Sequence, residues 1–179
     1  MNDLHNLFVN RHSIRRYTPE QLSPEAVKLI IEAGLLAPSS KSARPWQFIV
    51  VDDKDRLEAL AKCKPAGAAP IAKCVMAIVV AADCVKSDVW IEDASIAAAY
   101  MQLQAETLGL GSCWIQIRNR FTNDDLPADE YVRDIVGLPE EYPVVCILTF
   151  GHKDETRRPV DTSKLMWEKV NIDTWKQRE

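Results

Sequence analysis

Apolar positions along the chain fall into two alternating periods. Val27, Ile30, Ile31 and Leu35 recur at helical spacing and mark one buried helix face. Ser23 stands before them as an N-cap, with Pro24 at the first helical position and Glu25 behind it. Pro38 limits that helix, because a residue preceding proline avoids the α region. A shorter helix is expected around Leu4, Leu7 and Phe8. The run WQFIVV, residues 46–51, predicts a strand, after which Asp52 is expected to cap a helix through about Ala61. CKPAGAAP, residues 63–70, reads as a loop. CVMAIVVAA, residues 74–82, is short and almost uniformly apolar, which predicts a central strand buried on both faces. Residues 89–109 form a long alanine-rich helix ending at Gly109; its small side chains let neighbours approach closely, so it is expected at the core. SCWIQI is a third strand, ADEYVRDIVG a helix closed by Gly137, and PVVCILTFG a fourth strand.

No repeat or low-complexity linker interrupts this order, so residues 1–179 are read as one layered domain. Residues 151–179 form a polar C-terminal arm. Leu165, Met166, Trp167, Ile172 and Trp175 make it too apolar to float free, so it is expected to wrap the body or reach a partner subunit.

Composition narrows the function classes. Net charge is −4, which gives no global attraction to nucleic acid or to an acidic membrane. Any anion must therefore be met by a local cluster. No apolar run reaches the roughly 18 residues a membrane span needs. The opening residues lack a signal peptide's basic start and apolar centre, so a cytoplasmic protein is expected. Five cysteines without a CxxC pair, and three histidines, argue against a disulfide framework, a zinc site or a cysteine-held cluster. Reduced, mostly buried thiols and no metal are expected.

Three stretches carry candidate chemistry. In RHSIRRY, Arg11, Ser13 and Arg15 alternate, so an extended chain turns them to one side. Two guanidinium forks with a hydroxyl between them suit a phosphate dianion. In PSSKSARPW, Ser39, Ser40, Lys41, Ser42 and Arg44 follow a helix end at the mouth of a strand. In GHKDETRRP, Gly151 allows close backbone approach and Lys153, Arg157 and Arg158 add charge just beyond the last strand. Taken singly, each reads more simply as solvated surface or as hydroxyls satisfying a helix end.

The four stretches RHSIRRY, APSSKSARPWQFIVV, LGLGSCWI and FGHKDETRRP, in that order over residues 5–160, resemble the FMN-dependent nitroreductase family. The resemblance implies an α+β fold: three α/β/α layers around a mixed, mainly antiparallel sheet, with the C-terminal arm extending onto a partner subunit. It implies a homodimer with FMN at the interface. Arg11, His12, Ser13 and Arg15 would grip the phosphate and ribityl chain. Pro38, Ser39, Ser40 and Ser42 would reach the flavin held mainly by the other subunit. The backbone of Trp114, Ile115 and Gln116 would lie near the ring. Gly151 with Arg157 or Arg158 would complete the phosphate grip. Ser42 stands where the family usually has asparagine, and Arg44 where glutamine is common.

The activity implied is ping-pong hydride transfer from NADH or NADPH through the flavin to nitroaromatics, quinones or a similar small electron-poor acceptor. The chemistry would sit on the flavin, with no side-chain nucleophile or general base. Lys41 or Arg44 would supply positive charge at the ring's pyrimidine side. Alternatives are reductive dehalogenation or flavin fragmentation on the same scaffold, or binding of a phosphorylated ligand without turnover. CVKSDVWIED is short for the lid that such relatives carry. Cys113 reads as core, and Trp167 and Trp175 as packing on a second subunit.

Overall fold

The computed structural model describes residues 3–175. Helix α1 covers Asp3–Asn10 and α2 covers Pro24–Leu35. The Ser23 hydroxyl accepts the Ala26 N–H, so α2 begins where its capping residue dictates. Strand β1 is Trp46–Val51 and α3 is Lys54–Leu60. The cap of α3 is Asp53 rather than Asp52: Asp53 holds extended backbone and its carboxylate accepts the Arg56 N–H at 2.9 Å. Asp52 lies one residue too early to reach that donor.

Strand β2, Met76–Ala82, is buried at all seven positions. The long helix α4 is Trp90–Thr107, β3 is Leu110–Gln116, α5 is Ala128–Val136 and β4 is Val144–His152. The sheet order is β1-β2-β4-β3, and every neighbouring pair is antiparallel. Parallel pairing among the described residues is confined to an isolated bridge between Ser13 and Ser112.

Two apolar layers sandwich the sheet. On one face, Ile78, Val80, Leu148 and Phe150 pack under Ile30 of α2 and Ala94, Ala98 and Met101 of α4. On the other, Val79, Ile115 and Ile147 pack under Leu57 and Leu60 of α3 and Val132 of α5. This is the three-layer arrangement expected. It also explains the unbroken apolar runs of β2 and β4, whose alternate side chains enter different cores.

The free edge of β3 is flanked by the segment after α1. Ile14 N–H donates to the Ser112 carbonyl at 2.9 Å, and Thr18 N–H to His152 at 3.0 Å. The chain leaving β4 folds back along the same segment: Asp154 N–H meets the Arg16 carbonyl at 3.0 Å, and Val160 N–H meets Val9 at 2.9 Å. Among the described residues beyond Val160, the arm carries two short 3-10 turns, and its side chains face solvent.

Candidate functional site

Residues 11–15 hold an extended course beside β3, and the alternation in the sequence becomes a surface. Arg11, His12, Ser13 and Arg15 line one cavity of about 410 Å3, and Arg157 of the returning chain joins them. Phe8 and Val160 form its apolar side. Three guanidinium groups and a hydroxyl thus converge from opposite ends of the chain. Arg158 is exposed and lies outside this lining. His12 Nε2 is buried without a hydrogen-bond partner among the described residues.

A carboxylate stands behind the cations. Glu155 Oε1 accepts the N–H groups of Arg15 at 2.6 Å and Arg16 at 3.3 Å, while Oε2 meets Arg157 Nη2 at 2.8 Å. The Arg15 N–H above all holds the Glu155 carboxyl below the usual range, with Arg157 adding to the effect. Tyr17 fixes the same segment from beneath. Its hydroxyl donates to the Ile14 carbonyl and lies 2.7 Å from the Thr149 hydroxyl. Burial pushes its ionisation far above the ordinary tyrosine value.

The edge of β3 supplies the second part of the site. Antiparallel pairing turns alternate peptide groups outward. Ser112 and Gln116 are two of these: the carbonyl of Ser112 is taken by Ile14, and that of Gln116 by Lys64 Nζ at 2.9 Å. Trp114, between them, belongs to the same outward row. The N–H groups of Trp114 and Gln116 find no partner among the described residues, so they form a short open row of donors. Ile115 is different. Its peptide faces β4 and its side chain, 2% exposed, lies in the core.

Lys64 was not singled out from the sequence. Burial pushes its ammonium below the ordinary lysine value, with Arg120 adding to the effect, and no carboxylate pairs with it among the described ion pairs. A partly buried cation without an acid is costly unless something anionic visits it. Burial raises the Cys113 thiol, while Arg15, the Ser13 hydroxyl and Lys64 pull it back. The thiol is buried, as expected of a core cysteine.

Gly151 lies outside the lining of the arginine cavity. It is buried, and a Cβ there would stand 2.8 Å from Tyr17 Cδ1. The close approach it allows is that of the chain's own tyrosine.

The serine turn is built separately. Ser40 N–H donates to Asp93 Oδ1 at 2.9 Å, and the Ser87 hydroxyl donates to Oδ2 at 3.2 Å. The Ser39 hydroxyl accepts the Arg44 N–H at 2.9 Å. Lys41, Ser42 and Arg44 all have positive φ, at 51°, 53° and 47°, which is strained for side-chain-bearing residues. Pro38, Lys41, Ser42 and Arg44 are exposed. Trp46 is buried and stacks on Phe48 with centroids 6.3 Å apart.

This turn enters β1, while Ser13 sits at the far end of β3. Three strand spacings and most of a strand length separate them, about 14 Å across and about 20 Å along. Within one chain the two clusters occupy diagonal corners of the sheet. Lys41 and Arg44 are correspondingly remote from the β3 edge of their own chain.

Comparison with known proteins gives the same family. The Nitroreductase family model matches residues 9–80 and 76–152. A structure of an FMN-dependent nitroreductase from Clostridium difficile is 46% identical, covers 96% of this chain and 99% of its own, and superposes with a TM-score of 0.94. A relative from Archaeoglobus fulgidus that bears the name NADH dehydrogenase/NAD(P)H nitroreductase is 34% identical, over 87% of this chain and 88% of its own length. The NADPH:FMN oxidoreductase of Vibrio harveyi, at 21% identity, shares the fold with a TM-score of 0.83 across 99% of this chain and 80% of its own.

Proposed function

The chain belongs to the nitroreductase family, and from that premise we propose that it is an FMN-dependent, NAD(P)H-using oxidoreductase acting on small electron-poor acceptors such as nitroaromatics or quinones. The observation that carries this reading is the cavity where Arg11, Ser13, Arg15 and Arg157 meet beside the open edge of β3. Forked cations and a hydroxyl suit a phosphate monoester. The row from Ser112 to Gln116 spans about 13 Å, which is about the reach of a mononucleotide extended from its phosphate.

The residues divide the work. Arg11, Ser13, Arg15 and Arg157 hold the phosphate. The Trp114 and Gln116 N–H groups face away from β4 and would be available to donate to the ring. Lys64 supplies positive charge beside them, a role the sequence reading gave to Lys41 or Arg44. Bound FMN supplies the redox chemistry, taking hydride from the nicotinamide and delivering electrons to the acceptor. The chain's part would be to admit the nicotinamide and the acceptor in turn at the same place beside the β3 edge, which would give ping-pong order. No side-chain nucleophile is needed.

A second copy completes the site. Pro38, Ser39, Ser40 and Ser42 stand too far from the cavity of their own chain to act there, so we place them over the cavity of a partner. Helix α4 supports this. It buries Ala94, Ala97, Ala98, Met101 and Ala105 against the sheet, yet also presents Ile96 and Tyr100 to solvent. A helix apolar on both sides is covered on both sides.

No helix among the described residues is long and apolar enough to cross a membrane, and we place the enzyme in the cytoplasm. The test is direct: purified protein is supplied with FMN, then reduced anaerobically with NADH or NADPH and reoxidised with a panel of acceptors. A yellow protein bleached by a nicotinamide and restored by an acceptor is expected. Failure to bind FMN would reject the assignment; FMN bound but never reduced would leave a binding protein.

A further inference from the structure

We propose that Glu155 is the positioning residue of the anion site, holding Arg15 and Arg157 in place without touching the ligand. The inference rests on the reading of the cavity as a phosphate grip.

The carboxylate links two segments 140 residues apart in sequence. One oxygen takes two successive backbone N–H groups, at 2.6 and 3.3 Å. That pairing fixes the peptide planes on either side of Arg15, and with them the direction in which its side chain leaves the backbone. The other oxygen takes Arg157 at 2.8 Å. The Glu155 side chain is only 8% exposed, while Arg157 at 46% stays open to solvent, so the carboxylate is the fixed member of the pair.

Its location separates positioning from competition. Glu155 does not line the 410 Å3 cavity; it lines the neighbouring one, of about 330 Å3, with Arg157 between the two. A carboxylate occupying the ligand's place would stand inside the first cavity. Glu155 stands behind the guanidinium instead and engages one Nη of it. A guanidinium has five N–H donors, so others remain for a phosphate. The carboxylate also offsets the mutual repulsion of Arg11, Arg15 and Arg157 before a ligand arrives. Residues 11–15 have no sheet ladder of their own; apart from Glu155, they are held by the Arg11 N–H on the Leu7 carbonyl, the Ile14 N–H on the Ser112 carbonyl with the bridge beside it, and the Tyr17 hydroxyl on the Ile14 carbonyl. Without Glu155, two N–H groups lose their acceptor and the grip loses its fixed spacing.

The experiment compares FMN with riboflavin, which lacks the phosphate, by fluorescence titration of the full chain. Wild type, Glu155→Ala, Glu155→Gln and Arg15→Ala are measured at one salt concentration. Glu155→Ala is expected to weaken FMN by about tenfold or more and riboflavin by less than about threefold. Glu155→Gln, whose single amide oxygen can serve the two N–H groups but not Arg157 as well, is expected to lose about threefold toward FMN. If Glu155→Ala shows no thermal transition, the Gln variant decides by the same ratio.

Wild-type or tighter FMN binding in the folded Glu155 variants overturns the proposal, as does an equal loss toward both flavins. If wild type does not prefer FMN to riboflavin, the phosphate reading falls and this proposal with it. If Arg15→Ala loses FMN while both Glu155 variants keep it, the role of Glu155 alone falls.

Discussion

Gly111 of β3 and Gly151 of β4 face each other in register, and the space left by their missing side chains seats the segment that carries Arg11, Ser13 and Arg15. Ile14 rests over Gly111 and Tyr17 over Gly151. A Cβ on residue 111 would stand 2.7 Å from Ile14 Cγ2 and 2.8 Å from Ile14 Cβ. Neither atom is the loose end of a flexible chain. Gly111→Ala must therefore lift the segment from the sheet. A loss of about 1–3 kcal/mol is expected, together with weaker FMN binding. Thermal unfolding and flavin titration check both; an unchanged midpoint would show that the segment yields freely.

Arg15→Ala removes one fork from the grip and one cation beside Cys113. A charge-assisted hydrogen bond contributes about 1.5–3 kcal/mol, so FMN affinity should fall by about one to two decades. The thiol offers an independent reading. Arg15 now pulls the Cys113 value down against burial, so its loss should slow reaction with a thiol reagent under native conditions. Unchanged FMN affinity would remove Arg15 from the site.

Asp93 ties the serine turn to α4. Its carboxylate is 3% exposed and holds the Ser40 N–H and the Ser87 hydroxyl. Three strained residues follow within four positions. Asp93→Ala leaves a half-buried N–H without its acceptor and frees the turn to relax. The expected loss of stability is about 1–3 kcal/mol by chemical denaturation. With the turn over the partner's site, as proposed above, turnover should fall more than Arg15-dependent FMN binding does. Full activity in a dimer of normal stability would count against that placement.

Alkaline pH tests the buried thiols. Burial raises Cys63 to about 11 and Cys74 to about 12 from an ordinary 9.0, and pushes Cys146 up as well. Below pH 9 all are protonated in both states, and their contribution to stability is fully present. Above it the unfolded chain loses protons first and binds fewer than the folded one, so stability falls with rising pH. Each thiol contributes a slope of up to about 1.4 kcal/mol per pH unit until its folded value is passed. Denaturation from about pH 8 to about pH 10.5 should show a shallower decline in Cys74→Ala than in wild type. Equal slopes would place Cys74 in water.

The sequence shows some of this plainly and some not at all, for physical reasons. Strand β2 is legible because a central strand is apolar on both faces. The meeting of Arg11, Ser13 and Arg15 in one cavity is legible because an extended segment repeats every two residues. The cap of α3 is off by one because adjacent aspartates both satisfy the rule, and only the backbone chooses Asp53. Arg157 and Arg158 are equivalent in sequence, and the turn after β4 brings only Arg157 to the cavity lining. Lys64 and Glu155 leave no local signal. Each acts through a contact with a segment far away in the chain: Gln116 for one, Arg15 and Arg16 for the other. A glycine reports only that something comes close, and at Gly151 the neighbour in the chain itself is Tyr17.

The arm offers the widest test. Leu165, Met166, Trp167, Val170, Ile172 and Trp175 are between 45% and 79% exposed in the single chain. Helix α1 presents Leu4 and Phe8 in the same way, and these line an apolar trough of about 410 Å3 with Tyr100 and Leu103 of α4. One chain thus carries an uncovered arm and an uncovered trough. In the dimer proposed above, two copies would cover both and would bring the serine turn of one to the arginine cavity of the other. Truncation after Pro159 removes the arm while keeping every residue of the arginine cavity except Val160. Stable dimers bury about 1,200–2,000 Å2 or more, and two tryptophans per arm supply a large share of such an area. The truncated protein should therefore sediment as monomer at concentrations where the full chain is dimeric. Its flavin affinity should fall with dimerisation and recover as protein concentration rises, since the missing half of the site returns by mass action. A truncated protein that stays a tight dimer would place the interface elsewhere and leave the arm's apolar side chains without this role.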